Sequence, residues 1–406
     1  MIKNKYNVDS PGKNFVGYKQ TRKDILSGLH NGKSYAIIGG RRCGKTSLLK
    51  RIEKDLILNK DKLAPHVPVP IYCSGLSLGE ISTDRLFENM YQPLAEIVNG
   101  EQWKSCGDKR AFDNFLKHLS SILEKLVKQF GTHFLVVFLI DELDTAASKL
   151  PDDLFFQNLR YFLMDYQYSS NFRLIATGLT HLSNLISSDG SPLSNLNYKR
   201  LGILNHESAL KLVHVGFPNI TDTQKLFDLT GQHPYLLQAF LEKLYLNKKE
   251  QWTEDLLNDV AKGFLGDHPT VFRRWISDFG NDGVKVYSYL INESKALKLA
   301  DLYNQIQIKD MDLTLDILIW HGVVVARDPK LPKTTGTLFK EWFLKNKHQL
   351  TSMISTPDNP EMLKSDVPQD IIKSKRSFNK ITWALYTATA LYFAVIFILY
   401  WSGVFK

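Results

Sequence analysis

Two short stretches hold residue types that do chemistry together. The first, Gly39-Gly40-Arg41-Arg42-Cys43-Gly44-Lys45-Thr46, satisfies every fixed position of G-x-x-x-x-G-K-[ST]. Glycines let consecutive backbone N–H groups turn inward around phosphate oxygens. A helix starting near Lys45 directs its positive dipole end at the same anion. The Lys45 ammonium would reach the β- and γ-phosphates of a nucleotide and the Thr46 hydroxyl would ligate Mg²⁺, with Gly39 to Ser47 cradling the phosphate chain. The second stretch is Asp141-Glu142, at the end of the apolar run Phe134–Ile140. Asp141 would hold Mg²⁺, directly or through water, and Glu142 would orient or deprotonate the attacking water. An Asp-Glu pair points to ATP. No D-x-x-G follows a strand, and Asn247-Lys248-Lys249-Glu250 is a poor N-K-x-D, which speaks against a GTPase.

These groups need a sheet to position them. Ser34–Ile38 reads as a strand, and a helix pattern follows from Lys45 with Leu48, Leu49 and Ile52 on one side. Pro68–Cys73 is a second strand candidate and Phe112–Phe130 an amphipathic helix. Phe134–Ile140 has the continuous apolar character of a central parallel strand buried on both faces. Leu154–Tyr166 reads as helix and Phe172–Thr177 as another buried strand. The alternation predicts an α/β core with a parallel sheet over residues 1–181.

From 182 to 278 strand signals thin out. Glu207–Val215, Asp222–Leu229, Tyr235–Leu246 and Thr253–Lys262 predict a helical lid. Over 279–350, helix candidates Val284–Asn292, Leu299–Gln305 and Leu313–His321 precede two extended pieces, Val323–Ala326 and Thr334–Phe339. That pattern predicts a winged helix-turn-helix. Residues 351–380 read as a linker, rich in Ser, Thr, Pro and Asp and ending in the cations Lys373, Lys375, Arg376 and Lys380.

The last segment departs from the rest. Ile381–Trp401 is 21 uncharged residues. At about 1.5 Å per residue they span about 31 Å, the hydrocarbon thickness of a bilayer. Trp383, Tyr400 and Trp401 suit aromatic belts at its ends. Residues 381–402 are therefore expected to be a single transmembrane helix, touching membrane lipids. The cations before it place the N-terminal domains in the cytoplasm, so the expected location is the cytoplasmic membrane. No ionisable residue lies within the span, which excludes a transport pathway built from this helix alone.

Composition agrees with a folded chain of several units. The 406 residues are 44% hydrophobic and 23% charged, which excludes disorder, collagen and a disulfide scaffold as overall descriptions. The net charge of +9 is mild, so its placement matters more than its size. Three cysteines without metal spacing suggest a reducing compartment.

The motifs carry a resemblance. Phe15-Val16-Gly17, GGRRCGKTSLL, FLIDELD, Ile175-Ala176-Thr177-Gly178 and Gly231-Gln232-His233-Pro234-Tyr235-Leu236-Leu237 resemble the AAA+/STAND class of signal-transducing P-loop ATPases. They are most similar to the bacterial AAA-like ATPases with a trailing winged helix, over about residues 12–345. The resemblance implies an ATP and Mg²⁺ site in which Val16 belongs to the adenine-contacting turn and Thr177 takes the sensor-1 position. It also implies that Pro234 packs on adenine and couples lid angle to nucleotide. Two positions depart from the family: Tyr18 stands where Arg is usual, and Gln232 where Gly is common. Arg200, after a polar loop over 188–199, is a candidate finger toward a neighbouring subunit. The resemblance further implies a homo-oligomer, a protein trigger of unknown identity, and a place in bacterial stress response or phage defence.

Other signals weigh less. Gly75-Leu76-Ser77-Leu78-Gly79 matches G-x-S-x-G, but the helix that should follow comes too late. His206-Glu207 lacks the second histidine of a zinc protease, and the 11 histidines show no ligand spacing. Cys43 sits at a helix start that lowers thiol pKa values, which would suit a redox role, but a small residue that fits the loop is the weightier reading. Residues 310–321 contain three Asp and no Lys or Arg, so the expected reading helix is repelled by DNA, and nucleic acid is disfavoured as a partner. The sequence thus predicts a membrane-anchored ATPase switch controlled by ATP-driven assembly. An anchored ATP-dependent scaffold and a membrane-tethered DNA-handling ATPase are the alternatives.

Overall fold

A computed structural model describes residues 4–7, 15–58, 63–75, 81–187, 190–247, 252–292, 299–326 and 332–354. The expected membrane span 381–402, nearly all of the 351–380 linker and residues 76–79 of the G-x-S-x-G match lie outside the described residues. Among the described residues no helix is long and apolar enough to cross a membrane. The first compact unit spans Met1–Lys347, and the site described below lies within it.

Five strands, β1 (Tyr35–Ile38), β2 (Val67–Ser74), β3 (Phe134–Asp141), β4 (Phe172–Gly178) and β5 (Asn197–Arg200), form one sheet. All are parallel, in the order β2-β3-β4-β1-β5. Parallel strands need crossovers. Those are supplied by α2 (Lys45–Leu58), α3 (Thr83–Ile97), α4 (Ala111–Phe130), α5 (Leu143–Ala147), α6 (Leu154–Met164) and α7 (Thr180–Ser187), with α1 (Lys19–His30) preceding β1. Because the sheet is parallel, the loop after β1, the carboxylates closing β3 and Thr177 near the end of β4 all reach the same edge. β4 lies between the other two strands, so Thr177 sits between loop and carboxylates.

Every residue of β1, β3 and β4 is buried, the signature of strands covered on both faces. Period two divides their work. Leu135, Val137 and Leu139 pack with Ile25, Leu29, Leu48 and Ile52 of α1 and α2. Phe138 faces the other way, toward Phe162 of α6, which stacks near Phe172 and Phe115. Full burial of one such side chain stabilises by about 1.5–3 kcal/mol.

Beyond the sheet come α8 (His206–Gly216), α9 (Gln224–Thr230), α10 (Pro234–Leu246) and α11 (Glu254–Asp267), close to the expected lid helices. α12 (Pro269–Asn292) follows, broken at Gly280, whose φ of 61° and ψ of −171° are not helical. The boundary expected at 278/279 lies two residues before this break. Then come α13 (Leu299–Gln305), α14 (Met311–Trp320), the antiparallel pair β6 (Val324–Ala326) and β7 (Pro332–Thr334), and α15 (Thr337–Ile354).

Three expectations are corrected. Residues 197–200, the end of the expected polar loop 188–199 and Arg200 after it, are the edge strand β5; Asn-Tyr-Lys-Arg has no apolar alternation because only one side of that strand is paired. The extended piece Thr334–Phe339 is instead a strand end and a helix start. Leu338, Phe339, Trp342 and Phe343, all buried, have the spacing of one helix face. That helix runs on to Ile354, past the expected linker start at 351.

Candidate nucleotide site

The loop between β1 and α2 is shaped by two different demands. Gly44 has a φ of 91°, and Arg42 takes left-handed backbone at 63°. Gly39 and Gly40 are not among the positive-φ positions and are small for another reason. A Cβ on Gly39 would stand 3.0 Å from Leu201 Cβ, and one on Gly40 would stand 2.6 Å from His321 Cα. The Gly40 N–H donates to the Trp320 carbonyl at 2.8 Å. The expectation that Gly40 turns its N–H toward phosphate is therefore corrected, because the C-terminal end of α14 takes that donor.

Lys45 reaches back over the loop, donating from Nζ to the Gly39 carbonyl at 2.6 Å and the Gly40 carbonyl at 2.9 Å. Burial pulls its ammonium below the ordinary range, while Cys43 and the Asp144, Asp141 and Glu142 carboxylates act the other way. An anion placed at the loop would restore what burial removes.

At the end of β3 one threonine orders both acids. Thr177 donates its hydroxyl proton to Asp141 Oδ1 at 2.6 Å and accepts the Glu142 backbone N–H at 2.9 Å. Tyr72 donates to the other oxygen, Asp141 Oδ2, at 2.9 Å. Glu142 has a φ of 56°, a left-handed conformation that costs a non-glycine residue of order 1–3 kcal/mol. The bond to Thr177 holds it there. Burial, reinforced by the Asp141 charge, raises the Glu142 pKa above the usual carboxylate range against the pull of Lys45 and Arg41. A raised carboxylate is a better proton acceptor.

A cavity of about 830 Å³ opens onto these groups. Of the residues expected to hold nucleotide, Arg41, Arg42, Gly44, Lys45, Thr46 and Ser47 line it, and so does Glu142. Val16 and Pro234 line its apolar end with Phe15, Leu204 and Leu212. Asp141 and Thr177 are buried behind the wall, as is Cys43. Mg²⁺ favours few protein oxygens plus phosphate and water. The Thr46 hydroxyl on the wall and the Asp141 carboxylate behind it are the donors that fit. Among the described residues no group of three His, Cys, Asp or Glu forms a cage for a metal.

Sequence reasoning missed the third wall. Thr270, Val271, Arg274, Trp275 and Asp278, all on the first half of α12, line the cavity. Asp278 accepts from Arg41 at 2.7 Å and from His321 Nε2 at 3.0 Å. These two partners hold its carboxyl below the usual range although burial opposes them. His321 Nδ1 lies 2.9 Å from the Ile317 carbonyl, so its ring reaches from the backbone of α14 to the Asp278 carboxylate. Arg42 lies over the Tyr235 ring at 4.5 Å. Among the described residues Arg274 forms no ion pair, and no spacing in the sequence singles it out.

Other expectations resolve locally. Tyr18 shares its hydroxyl between the Cys43 and Gly202 carbonyls, both at 2.9 Å, and so braces the loop where the family would place a guanidinium. Gln232 accepts a φ of 56° without being glycine. His233 caps α10, its Nδ1 accepting the Tyr235 N–H at 3.2 Å. Cys43 donates to the Trp320 carbonyl at 3.0 Å, and burial pushes its thiol up to about 12, the opposite of a reactive thiolate. Arg200 pairs with Asp316 of α14 at 2.9 Å and is not a free finger in this chain.

With that geometry in place, the comparisons can be read. No protein-family model matches the sequence, and none of the curated proteins does. Among solved structures, a Walker-type ATPase of Pyrococcus abyssi is similar at a TM-score of 0.50 and 17% identity, covering 84% of this chain and 99% of its own. The ORC2 protein of Aeropyrum pernix, in ADPNP–ADP complexes, is similar at a TM-score of 0.52 and 10% identity, covering 87% of this chain and 99% of its own. The fold is that of the P-loop ATPases. At these identities the likeness concerns the fold; the chemistry must come from the residues.

Proposed function

We propose that the chain binds and hydrolyses ATP with Mg²⁺ and uses the nucleotide as a switch. The observation that carries this reading is the Thr177 hydroxyl, which fixes Asp141 and Glu142 together at the edge of the cavity that Lys45 and Thr46 line. Lys45 would leave its loop carbonyls for the phosphates. Glu142, raised by burial, would take a proton from water aligned on the terminal phosphate. Bound Mg²⁺ would neutralise phosphate charge between Thr46 and Asp141. Val16 and Pro234 would sandwich the base at the apolar end. The adenine nucleotides named for the Aeropyrum pernix protein agree with this choice.

The switch reading follows from α12 and α14. α12 forms a cavity wall and meets the loop through Asp278, while α14 holds Gly40 through the Trp320 carbonyl. Nucleotide would thus act on the C-terminal elements, which we read as a STAND-type winged helix. Its docking on the ATPase core through Asp316 and Arg200 supports an intramolecular role over DNA reading. Assembly of several copies, with the 381–402 segments anchored in a cytoplasmic membrane, is the proposed output, in stress response or phage defence under an unidentified trigger.

The test uses the purified full-length chain. Lys45→Ala is expected to lose ATP binding and hydrolysis. Glu142→Gln is expected to keep binding, lose at least about 100-fold in turnover, and shift to a larger species by mass photometry with Mg-ATP but not Mg-ADP. Full hydrolysis by Lys45→Ala would sink the ATPase reading. A size unchanged by ATP in Glu142→Gln would leave the ATPase and remove the assembly switch.

A further inference from the structure

The apolar end of the cavity contains one well-placed amide. Gln238 lies one helical turn beyond Pro234 on α10, is partly buried, and lines the cavity beside Leu212. Its Nε2 donates to the Asn7 carbonyl at 2.7 Å. A carbonyl only accepts, so the amide is fixed with nitrogen toward Asn7 and Oε1 on the other side. Among the described residues nothing hydrogen-bonds to Oε1.

The carbonyl that orients Gln238 is itself held. Tyr6, next to Asn7, is fully buried. Its hydroxyl donates to the Val213 carbonyl at 2.6 Å and accepts the Gly216 N–H at 2.8 Å. Asn4 donates from Nδ2 to the Glu242 carbonyl at 3.2 Å. Residues 4–7 are thus strapped to α8 and α10. The amide is preorganised before any ligand arrives, which is the condition under which one hydrogen bond discriminates well.

We infer that Gln238 determines base specificity: its Oε1 accepts a hydrogen bond from the exocyclic 6-amino group of adenine. A 6-oxo purine would set two acceptors face to face at this point and be rejected. The strap also prevents the amide from turning over to serve the 6-oxo group, because its nitrogen would leave the Asn7 carbonyl. This inference rests on the nucleotide reading above and adds the atom by which the site selects adenine.

The experiment is a calorimetric titration of the full-length chain with three triphosphates: ATP, purine riboside triphosphate, which lacks only the 6-amino group, and ITP, which carries a 6-oxo group. Wild type is expected to bind ATP about five- to tenfold more tightly than purine riboside triphosphate, the range of one neutral hydrogen bond, and to bind ITP more weakly still. Gln238→Met keeps the volume and loses the acceptor. It should bind all three within about twofold of one another. Equal binding of ATP and purine riboside triphosphate by wild type would overturn the inference, as would a preference that survives in Gln238→Met. Equal weakening toward all three would reduce Gln238 to a structural part and also overturn it. Lys45→Ala separates the two levels: if wild type binds none of the three, or Lys45→Ala binds all as wild type does, the nucleotide reading fails before the base is at issue.

Discussion

The two ends of the cavity are built in opposite ways. The phosphate end comes from one unbroken stretch, residues 41–47, and the tips of two neighbouring strands. Its charged groups are each tied down by the protein: Lys45 to the loop carbonyls, Asp141 to Thr177 and Tyr72, Arg41 to Asp278. The base end is assembled from residues 7, 15–16, 204–212, 234–238 and 271, five separate parts of the chain, and is mostly apolar. The difference teaches where each property resides. Phosphate chemistry needs exact local backbone geometry, so it is compressed into a motif. Base selection needs shape and a few polar atoms, which any converging elements can supply.

The strongest way to break this comparison is to remove the one contact that makes the phosphate end cooperative. Thr177→Val takes away the donor to Asp141 and the acceptor for the Glu142 N–H, and frees Glu142 from its left-handed turn. Turnover is expected to fall about 100-fold, the scale of losing one preorganised polar contact, with ATP affinity changed less than about threefold. Thr177→Ser should restore most of the rate. A rate near wild type in Thr177→Val would mean that the acids hold themselves in place. A large loss of ATP affinity would mean instead that Thr177 touches phosphate directly.

How much of this was legible without coordinates follows the same division. Lys45 with Thr46, and Asp141 with Glu142, were readable because each pair is contiguous in sequence and follows a recognisable strand. β3 and β4 were readable because strands buried on both faces admit only apolar residues. β5 was not, since an edge strand of Asn-Tyr-Lys-Arg carries no such constraint. Thr177 lies on β4, between the strands that carry the loop and the acids, and its use as a clamp depends on side-chain direction, which a sequence does not give. Gln238 stood four residues after Pro234, a signal that helical spacing offered and that only the strap of residues 4–7 makes meaningful. Arg274 and Asp278 had no signal at all, because nothing local says that α12 crosses the cavity. The glycines were the subtlest case: the pattern demanded Gly39, but Gly40 falls on one of its variable positions and is fixed by α14.

Gly40 lies at the border of the phosphate end, where α14 meets the loop. If Gly40 serves phosphate, Gly40→Ala should weaken ATP binding and leave the nucleotide-free protein as stable as wild type. The geometry says otherwise: the new methyl would stand 2.6 Å from His321 Cα and 2.7 Å from its Cγ. Backbone cannot yield as a flexible side-chain tip does, so the expected cost is about 1–3 kcal/mol of stability, the range for overpacking a filled site. Urea unfolding of wild type and Gly40→Ala without nucleotide measures it. An unchanged midpoint would show that α14 does not press on the loop.

The smallest effect concerns the base end alone and is set by pH. His233 caps the helix that carries Pro234 and Gln238, and it must be neutral to accept the Tyr235 N–H. Burial, with the His321 ring nearby, depresses its pKa from 6.5 to about 3. Below pH 6.5 the unfolded chain takes up a proton at this residue and the folded chain does not. The contribution is therefore complete above about pH 6.5 and is lost at about 1.4 kcal/mol per unit as pH falls toward the folded value. Burial also depresses His66 at the far edge of the sheet, His118 on α4 and His268 beside Tyr235, adding losses of the same sign. His233→Asn isolates the cap from these, because asparagine caps a helix without titrating. Unfolding free energies at pH 7.5 and 5.5 should fall by about 1.4 kcal/mol less in the variant than in wild type. Equal losses would place the acid sensitivity outside α10 and leave the base end as indifferent to pH as its apolar walls suggest.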